Sequence, residues 1–158
     1  KFPIKYMQSL FEIDAELREP NLMIGGVPDG SRMIAHVEGG TFEGPRLKGI
    51  MPASGGDWVL ARADGSIKID VRAALTTDDG HHIYTYYGGR IVMSPEQMSA
   101  LGDRAAAEAL DPSTYYFRTN PLFEAAMDGP YSWLNHVVAV GIGRLTAKGV
   151  AYKVYALK

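Results

Sequence analysis

The sequence predicts an all-β fold with one helix: a closed, up-and-down antiparallel β-barrel, lipocalin-like or streptavidin-like, of about eight strands. Three observations predict it. Apolar and polar residues alternate with the period of two that a strand requires, most strictly from Ile67 to Thr76. Clusters of Gly, Pro, Asp and Asn separate the alternating stretches at short intervals. A single stretch, opening at Ser94, carries the signal for a substantial helix. Evenly spaced strands joined by tight turns favour a meander, and closing it removes the exposed edges.

Met7 to Arg18 reads as the first strand, with Leu10, Glu12, Asp14 and Glu16 on one face and Phe11, Ile13, Ala15 and Leu17 on the other. Glu19-Pro-Asn21 breaks it, and Gly25 to Gly30 is expected to be a loop of turn formers. Ser31 to Val37 is the second strand. The glycines and proline of Gly39 to Gly49 mark bends or bulges, so this segment is expected to curve the sheet at a rim. Asp57 to Arg62 follows, closed by Ala63-Asp-Gly65. A long hairpin then runs from Ser66 to Tyr87 and turns at Asp78-Asp-Gly80, where Asp and Gly tolerate positive φ. Its first arm sets Ile67, Ile69, Val71, Ala73 and Leu75 against Lys68, Asp70, Arg72, Ala74 and Thr76. Its second sets Ile83, Thr85 and Tyr87 against His82, Tyr84 and Tyr86.

Ser94-Pro-Glu-Gln97 supplies an N-cap, a proline at the first helical position and a capping amide, so a helix starts there. Gly102 keeps it short or broken before Asp111-Pro112. Tyr115 to Glu124 is a further strand, bulged near Pro121. Gly129 to Asn135 makes a helical turn or tight loop, Val137 to Arg144 a buried strand, and Ala147-Lys-Gly149 the last hairpin. The tally is eight or nine strands in one domain spanning 1–158.

Composition narrows the function classes. Acidic and basic residues nearly balance, 18 against 16, with no basic run, so no nucleic-acid partner is expected. The chain has no cysteine, which removes disulfides and thiolate chemistry. No apolar run approaches the roughly 20 residues of a membrane span, and no signal-peptide pattern is present. The first residue is Lys1 rather than Met, which leaves room for a removed leader; cytoplasm is the expectation.

Seven stretches, in order, carry a family resemblance: Gly39-Gly-Thr-Phe-Glu-Gly-Pro-Arg46, Gly55-Gly-Asp-Trp58, Asp70-Val-Arg72, Thr77-Asp-Asp-Gly80 with Ile83-Tyr84, Tyr116-Phe-Arg-Thr119, Pro121-Leu-Phe-Glu124 and Trp133-Leu-Asn135. In order and spacing they resemble the bacterial and fungal family known as domain of unknown function 3237 (DUF3237), also called uncharacterised protein family 0311, over about Leu10 to Tyr155. The resemblance implies a self-associating lipocalin-like or streptavidin-like barrel and hands over no reaction. It carries across Glu43, Arg46, Asp57, Trp58, Asp70, Arg72, Tyr84, Arg118, Glu124, Trp133 and Asn135, while His81 and His82 fall outside the pattern.

The strongest constellation is Asp70, Arg72, Tyr84, Tyr116 and Arg118. Facing inward, these would set a carboxylate and two guanidiniums beside aromatic walls, a cavity suited to an anionic or phenolic ligand. Facing outward, they would be a solvated ion pair of little worth. We take the inward orientation, which would leave Ile67, Ile69 and Val71 outside and in need of the helix or another subunit to cover them, hence an expected homo-oligomer, a dimer or larger.

Glu43 could act as a general base held by Arg46, although Arg46 could equally just tie a bent strand. Trp58 could floor the cavity, Trp133 stack on a planar ring and Asn135 orient a carbonyl or water; core packing and turn capping are the plainer roles. Asp78, Asp79, His81 and His82 resemble metal ligands, but they occupy a turn with its own structural reason and adjacent histidines on a strand diverge. Neither metal nor cofactor is expected. Ser54 lacks the nucleophile-elbow context, and Gly141-Ile-Gly143 lacks the rest of a dinucleotide fingerprint.

Two functions of different class fit these residues. One is a cofactor-independent enzyme of lyase, isomerase, cyclase or hydrolase type, acting by acid–base chemistry on a small aromatic or enone-like anion. Its catalytic groups would be Asp70, Glu43, Arg72 and Tyr84, and its substrate-binding groups Arg46, Trp58, Tyr116, Arg118, Trp133 and Asn135. The other is a barrel that only binds such a molecule. A carboxylate in the cavity with its pKa raised towards neutrality would favour the enzyme.

Overall fold

The computed structural model describes residues 4–158, and strands account for most of them. They are β1 (Met7–Leu17), β2 (Leu22–Val27), β3 (Gly30–Glu43), β4 (Lys48–Ile50), β5 (Gly55–Ala61), β6 (Ile67–Thr77), β7 (His82–Val92), β8 (Tyr116–Thr119), β9 (Leu122–Glu124), β10 (Ala139–Thr146) and β11 (Gly149–Leu157). Eight of these close an antiparallel ring in chain order, β1-β3-β5-β6-β7-β8-β10-β11 and back to β1. The other three are short or peripheral: β2 pairs with β3, β4 bridges β3 and β6, and β9 lies along β7. The up-and-down barrel read from the sequence is the fold observed.

The local differences have local causes. The stretch expected to be a loop, Gly25 to Gly30, contains the end of β2, because β3 starts early at Gly30 and offers it a hairpin partner. Tyr115 to Glu124 is two strands, since Asn120 and Pro121 interrupt the ladder. In β1 a register shift between Ser9 and Phe11 buries Leu10 together with Phe11, against the expectation that they face opposite ways. The expected rim curvature is present: β3 shifts register against β1 near Leu17, and Gly40 lies at φ +149°, where an added Cβ would come within 2.2 Å of the Asp14 carbonyl. Only glycine fits there.

Side-chain size decides where the barrel is solid and where it is hollow. Phe11 packs edge-on against Phe42 and Phe123, at ring distances of 5.7 and 5.9 Å, with Leu75, Ile83 and Leu134 buried around them. Towards the other end the inward residues are smaller, among them Ala15, Ala35, Val37, Val59 and Val71, and they leave an internal cavity of about 150 Å³. The helical segment lies over this end. It comprises α1 (Pro95–Ser99), a 3-10 turn and α2 (Arg104–Glu108), and it contributes Leu101, Arg104 and Ala107 to the cavity wall. Ser94 starts it as expected: its hydroxyl accepts from the Gln97 N–H, and the Gln97 amide accepts from the Ser94 N–H.

In β6 the expected split into two faces is correct and the expected facing is reversed. Ile67, Ile69, Val71, Ala73 and Leu75 are buried, and Lys68, Asp70 and Arg72 are exposed. Burying a row of branched apolar side chains outweighs enclosing a carboxylate and a guanidinium that would have to shed their water. The isoleucines need no second subunit to cover them, so that reason for self-association falls away. Among the described residues no helix is long and apolar enough to cross a membrane.

Candidate active site

The cavity is lined by apolar side chains with a few polar groups, chiefly Asp57, Tyr87, Tyr152, Asn21 and Arg104. Strand register brings the first two together. Asp57 on β5 and Tyr87 on β7 both lie directly opposite Val71 of β6, so all three point inward in one row. Tyr152 comes from the far wall, where β11 runs between Ile13 of β1 and Gly143 of β10. Its ring meets Tyr87 edge-on at 5.6 Å and Phe117 edge-on at 5.4 Å. Gly143 makes this packing possible, because a Cβ there would stand 2.5 Å from the Phe117 ring.

Asp57 is half-buried, since it faces a cavity instead of packing solidly. Its apolar surroundings raise its pKa from 3.8 to about 6; the Asp70 main-chain N–H, donating to Oδ1 at 2.9 Å, opposes the rise, and the negative charge of Asp70 adds to it. That N–H is available because the β5–β6 ladder pairs Asp57 with Val71 and resumes only at Leu60 and Lys68. Burial also pushes both phenols up, so Tyr87 and Tyr152 stay protonated across the physiological range. The two rings meet edge-on, so both hydroxyls belong to one corner of the cavity lining. A carboxylate that titrates near neutrality beside two neutral phenols can take a proton from a bound molecule and stabilise an oxyanion on it.

Arg104 lines the cavity, but most of its donors are occupied. It donates to the carbonyls of Leu17 (2.8 Å), Lys148 (2.6 Å) and Arg18 (3.1 Å) and pairs with Glu19 at 3.0 Å. The guanidinium therefore fastens α2 to the β1 end and to the β10–β11 hairpin.

The residues expected to form the site lie elsewhere. Asp70, Arg72, Tyr84, Tyr116 and Arg118 belong to the outer surface of the barrel and do not enclose a pocket. Arg72 donates to the Tyr84 hydroxyl at 2.8 Å, and Tyr84 stacks on Tyr86 at 5.3 Å. Arg118 sits over the half-exposed Tyr116 ring, 5.1 Å from its centre, and pairs across the sheet with Arg90, well along β7 from Tyr86. Glu43 is exposed at the end of β3, and among the described residues no ion pair joins it to Arg46. Arg46 instead covers the Trp133 ring at 3.7 Å, on the side of the barrel away from the cavity. Trp58 is 37% exposed and points outward, opposite Ile34. Asn135 clamps the backbone of Ala125, accepting from its N–H at 2.8 Å and donating to its carbonyl at 2.9 Å, a structural role that ties two segments together and does not cap its own turn. In the hairpin turn Asp79 accepts from Tyr131 and His82 bonds to Thr76; no group of three metal-ligating side chains forms among the described residues.

Four of the five polar cavity residues, Tyr87, Tyr152, Asn21 and Arg104, carried no expectation of function, and Asp57 was singled out only beside Trp58 and through the family resemblance. Tyr87 and Tyr152 share strand faces with apolar residues and read as core; strand parity is the signal that places them inside.

Comparison with known proteins bears on the same chain length. A UPF0311 protein of Clostridium acetobutylicum is 29% identical over 151 residues, covering 95% of this chain and 92% of that one. One from Rhodopseudomonas palustris is 30% identical over 131 residues, 83% of each chain. Among solved structures, a β-barrel like protein from Acinetobacter baumannii superposes with a TM-score of 0.81 at 38% identity, covering 96% of this chain and 95% of that one. A conserved protein of unknown function from R. palustris gives 0.87 at 28%, covering 96% and 97%. A structure described as an enzyme from Penicillium herquei gives 0.69 at 20%, over 96% and 93%, a likeness of fold alone. Since the family described as Protein of unknown function (DUF3237) matches residues 6–157, almost the whole barrel, this chain belongs to that family.

Proposed function

We propose that the protein is a cofactor-independent enzyme acting by acid–base chemistry on a small, largely apolar carbonyl compound, aromatic or enone-like, held in the barrel cavity. Asp57 is the base that removes a proton next to the carbonyl. The phenols of Tyr87 and Tyr152 supply hydrogen bonds to the carbonyl oxygen as negative charge develops on it. Isomerase, cyclase and lyase reactions can all start from that enolate, and the proton held by Asp57 is returned in a later step.

The observation that carries this reading is the Asp57 carboxyl set with the Tyr87 and Tyr152 phenols in a mostly apolar cavity, where burial raises its pKa to about 6. Passive binding of an apolar molecule does not call for such a group. The expected anionic substrate gives way to a neutral one, because the outer arginines do not reach the cavity and Arg104 is spent on carbonyls.

The test is α-proton exchange of cyclohex-2-enone in D₂O, followed by NMR. The protein should accelerate exchange, and Asp57→Asn should remove about 10²-fold or more of that acceleration. Exchange at the buffer rate, or acceleration that survives Asp57→Asn, would overturn the reading.

A further inference from the structure

We propose that the side-chain carbonyl of Asn21 is a binding group of the cavity, and that the molecule it receives is a single-ring-sized, mostly apolar compound carrying a hydroxyl or N–H donor. This rests on the cavity being the binding site, as proposed above, and adds the substrate's polar handle.

Asn21 Oδ1 is buried at the cavity lining and has no hydrogen-bond partner among the described residues. Buried acceptors are almost always paired, and burying one unpaired costs free energy that its neighbours here do not return. Other polar groups around the cavity have partners or hydrogens of their own to donate. Asp57 accepts from the Asp70 N–H, Arg104 donates to three carbonyls, Thr146 accepts from the Gly149 N–H, and Tyr87 and Tyr152 carry hydroxyl hydrogens. Asn21 is the polar group left waiting for a donor.

The amide is also held in place. Arg18 donates its N–H to the His36 carbonyl, Arg104 ties down the carbonyls of Leu17 and Arg18, and Leu22 pairs with Ile34 immediately after Asn21. The short segment between these anchors has little freedom to carry the amide out to water. The cavity of about 150 Å³ sets the size. An apolar cavity on the order of 150 Å³ holds one benzene ring. A ring with a hydroxyl towards Asn21 and its carbonyl towards the phenols would satisfy both ends.

The probes are phenol and toluene, which exchange a hydroxyl for a methyl on the same ring. Each is titrated by NMR into the wild-type chain, Asn21→Ala, Asn21→Asp and Asp57→Asn. The ratio of phenol affinity to toluene affinity should fall about tenfold in Asn21→Ala. It should be kept in Asn21→Asp, which retains an acceptor, and change less in Asp57→Asn than in Asn21→Ala. Asn21→Leu, similar in volume to asparagine, repeats the test should the alanine variant not fold. An unchanged ratio in the alanine or leucine variant overturns the proposal. So does a larger fall in Asp57→Asn, since the carboxylate would then be reading the hydroxyl. If neither probe binds the wild-type chain, the cavity is no binding site and the proposal fails with it. A phenol preference that depends on Asn21 without any cyclohexenone exchange upholds this proposal and overturns only the catalytic reading.

Discussion

The main-chain N–H of Asp70 donates to the carboxylate of Asp57 at 2.9 Å, across the wall of the barrel. One aspartate thus supports the other from behind: Asp70 faces solvent with its side chain and the cavity residue with its backbone. Substitutions at the two positions should therefore separate cleanly. Asp70→Asn keeps the N–H and removes an exposed charge that adds only the smallest part of the rise in the Asp57 pKa, so it should alter stability by no more than about 0.5 kcal/mol and leave cyclohexenone exchange unchanged at pH 8, where Asp57 is ionised in both chains. Asp57→Asn should abolish exchange while folding normally. Measuring both variants side by side assigns the carboxylate that matters.

The raised pKa of Asp57 predicts a stability profile with a definite sign. Below pH 3.8 the group is neutral in folded and unfolded chains alike. Between 3.8 and about 6 the unfolded chain ionises first, so the contribution of the buried neutral carboxyl is lost as pH rises through this window. A rise of about two pK units corresponds to about 3 kcal/mol. Asp57→Asn, which removes the ionisation, should melt higher than the wild type at pH 8 by several degrees, with the difference vanishing towards pH 3.5. Thermal melts of both chains across this range check it, and a variant less stable at pH 8 would contradict the burial of Asp57.

The same titration governs catalysis in the opposite sense. A base acts in its ionised form, so exchange should rise about tenfold per pH unit below the pKa of Asp57 and level off above about 6. The phenols, pushed up by burial, should add no second limb between pH 6 and 9. A rate that instead falls over that interval would mean that a protonated group other than the phenols is required.

Tyr152→Phe removes a hydroxyl of the cavity lining, a candidate donor to the substrate oxygen. Exchange should fall about 10²-fold, the scale of losing one oxyanion donor. The edge-on ring contacts with Tyr87 and Phe117 remain, so stability should stay within about 1 kcal/mol. A large stability loss with activity kept would make Tyr152 a packing residue.

Much of this fold was legible because strand parity is a local property. The alternation of Ile67 to Thr76, the Asp78-Asp-Gly80 turn and the capping signal at Ser94 each report their own structure, and the ring order follows from tight turns. What parity leaves open is which face looks in. Charged and aromatic residues on one face of β6 and β7 match the composition of a pocket lining, and the isoleucines opposite match a core equally well. The energetics of burial settle the choice only when the barrel's size is known: a ring of eight strands has room for the apolar rows and a small cavity, and none to spare for three charged side chains. Asn21 shows another limit. An asparagine after a proline reads as a turn former, and nothing nearby in the chain announces that its amide borders a cavity assembled from strands all round the ring and the helical segment.

Arg104 yields the prediction most sensitive to how the helical segment is held. Its side chain is 19% exposed and reaches three carbonyls and one carboxylate, which join α2 to two separate parts of the barrel rim. Arg104→Ala takes one donor from each of those carbonyls, of which Lys148 still accepts from the Leu17 N–H, and should destabilise the fold by about 2–4 kcal/mol. The loss should be local before it is global: amide hydrogen exchange should quicken across residues 95–108 and at Lys148 while the strands around Phe11 keep their protection. Arg104→Lys keeps the charge but not the planar fork that reaches several acceptors together, and should recover less than half of the lost stability. Because Leu101 and Ala107 ride on the same segment, Arg104→Ala should also weaken toluene binding in the cavity. Unchanged exchange across 95–108 would show that packing alone keeps the barrel end closed.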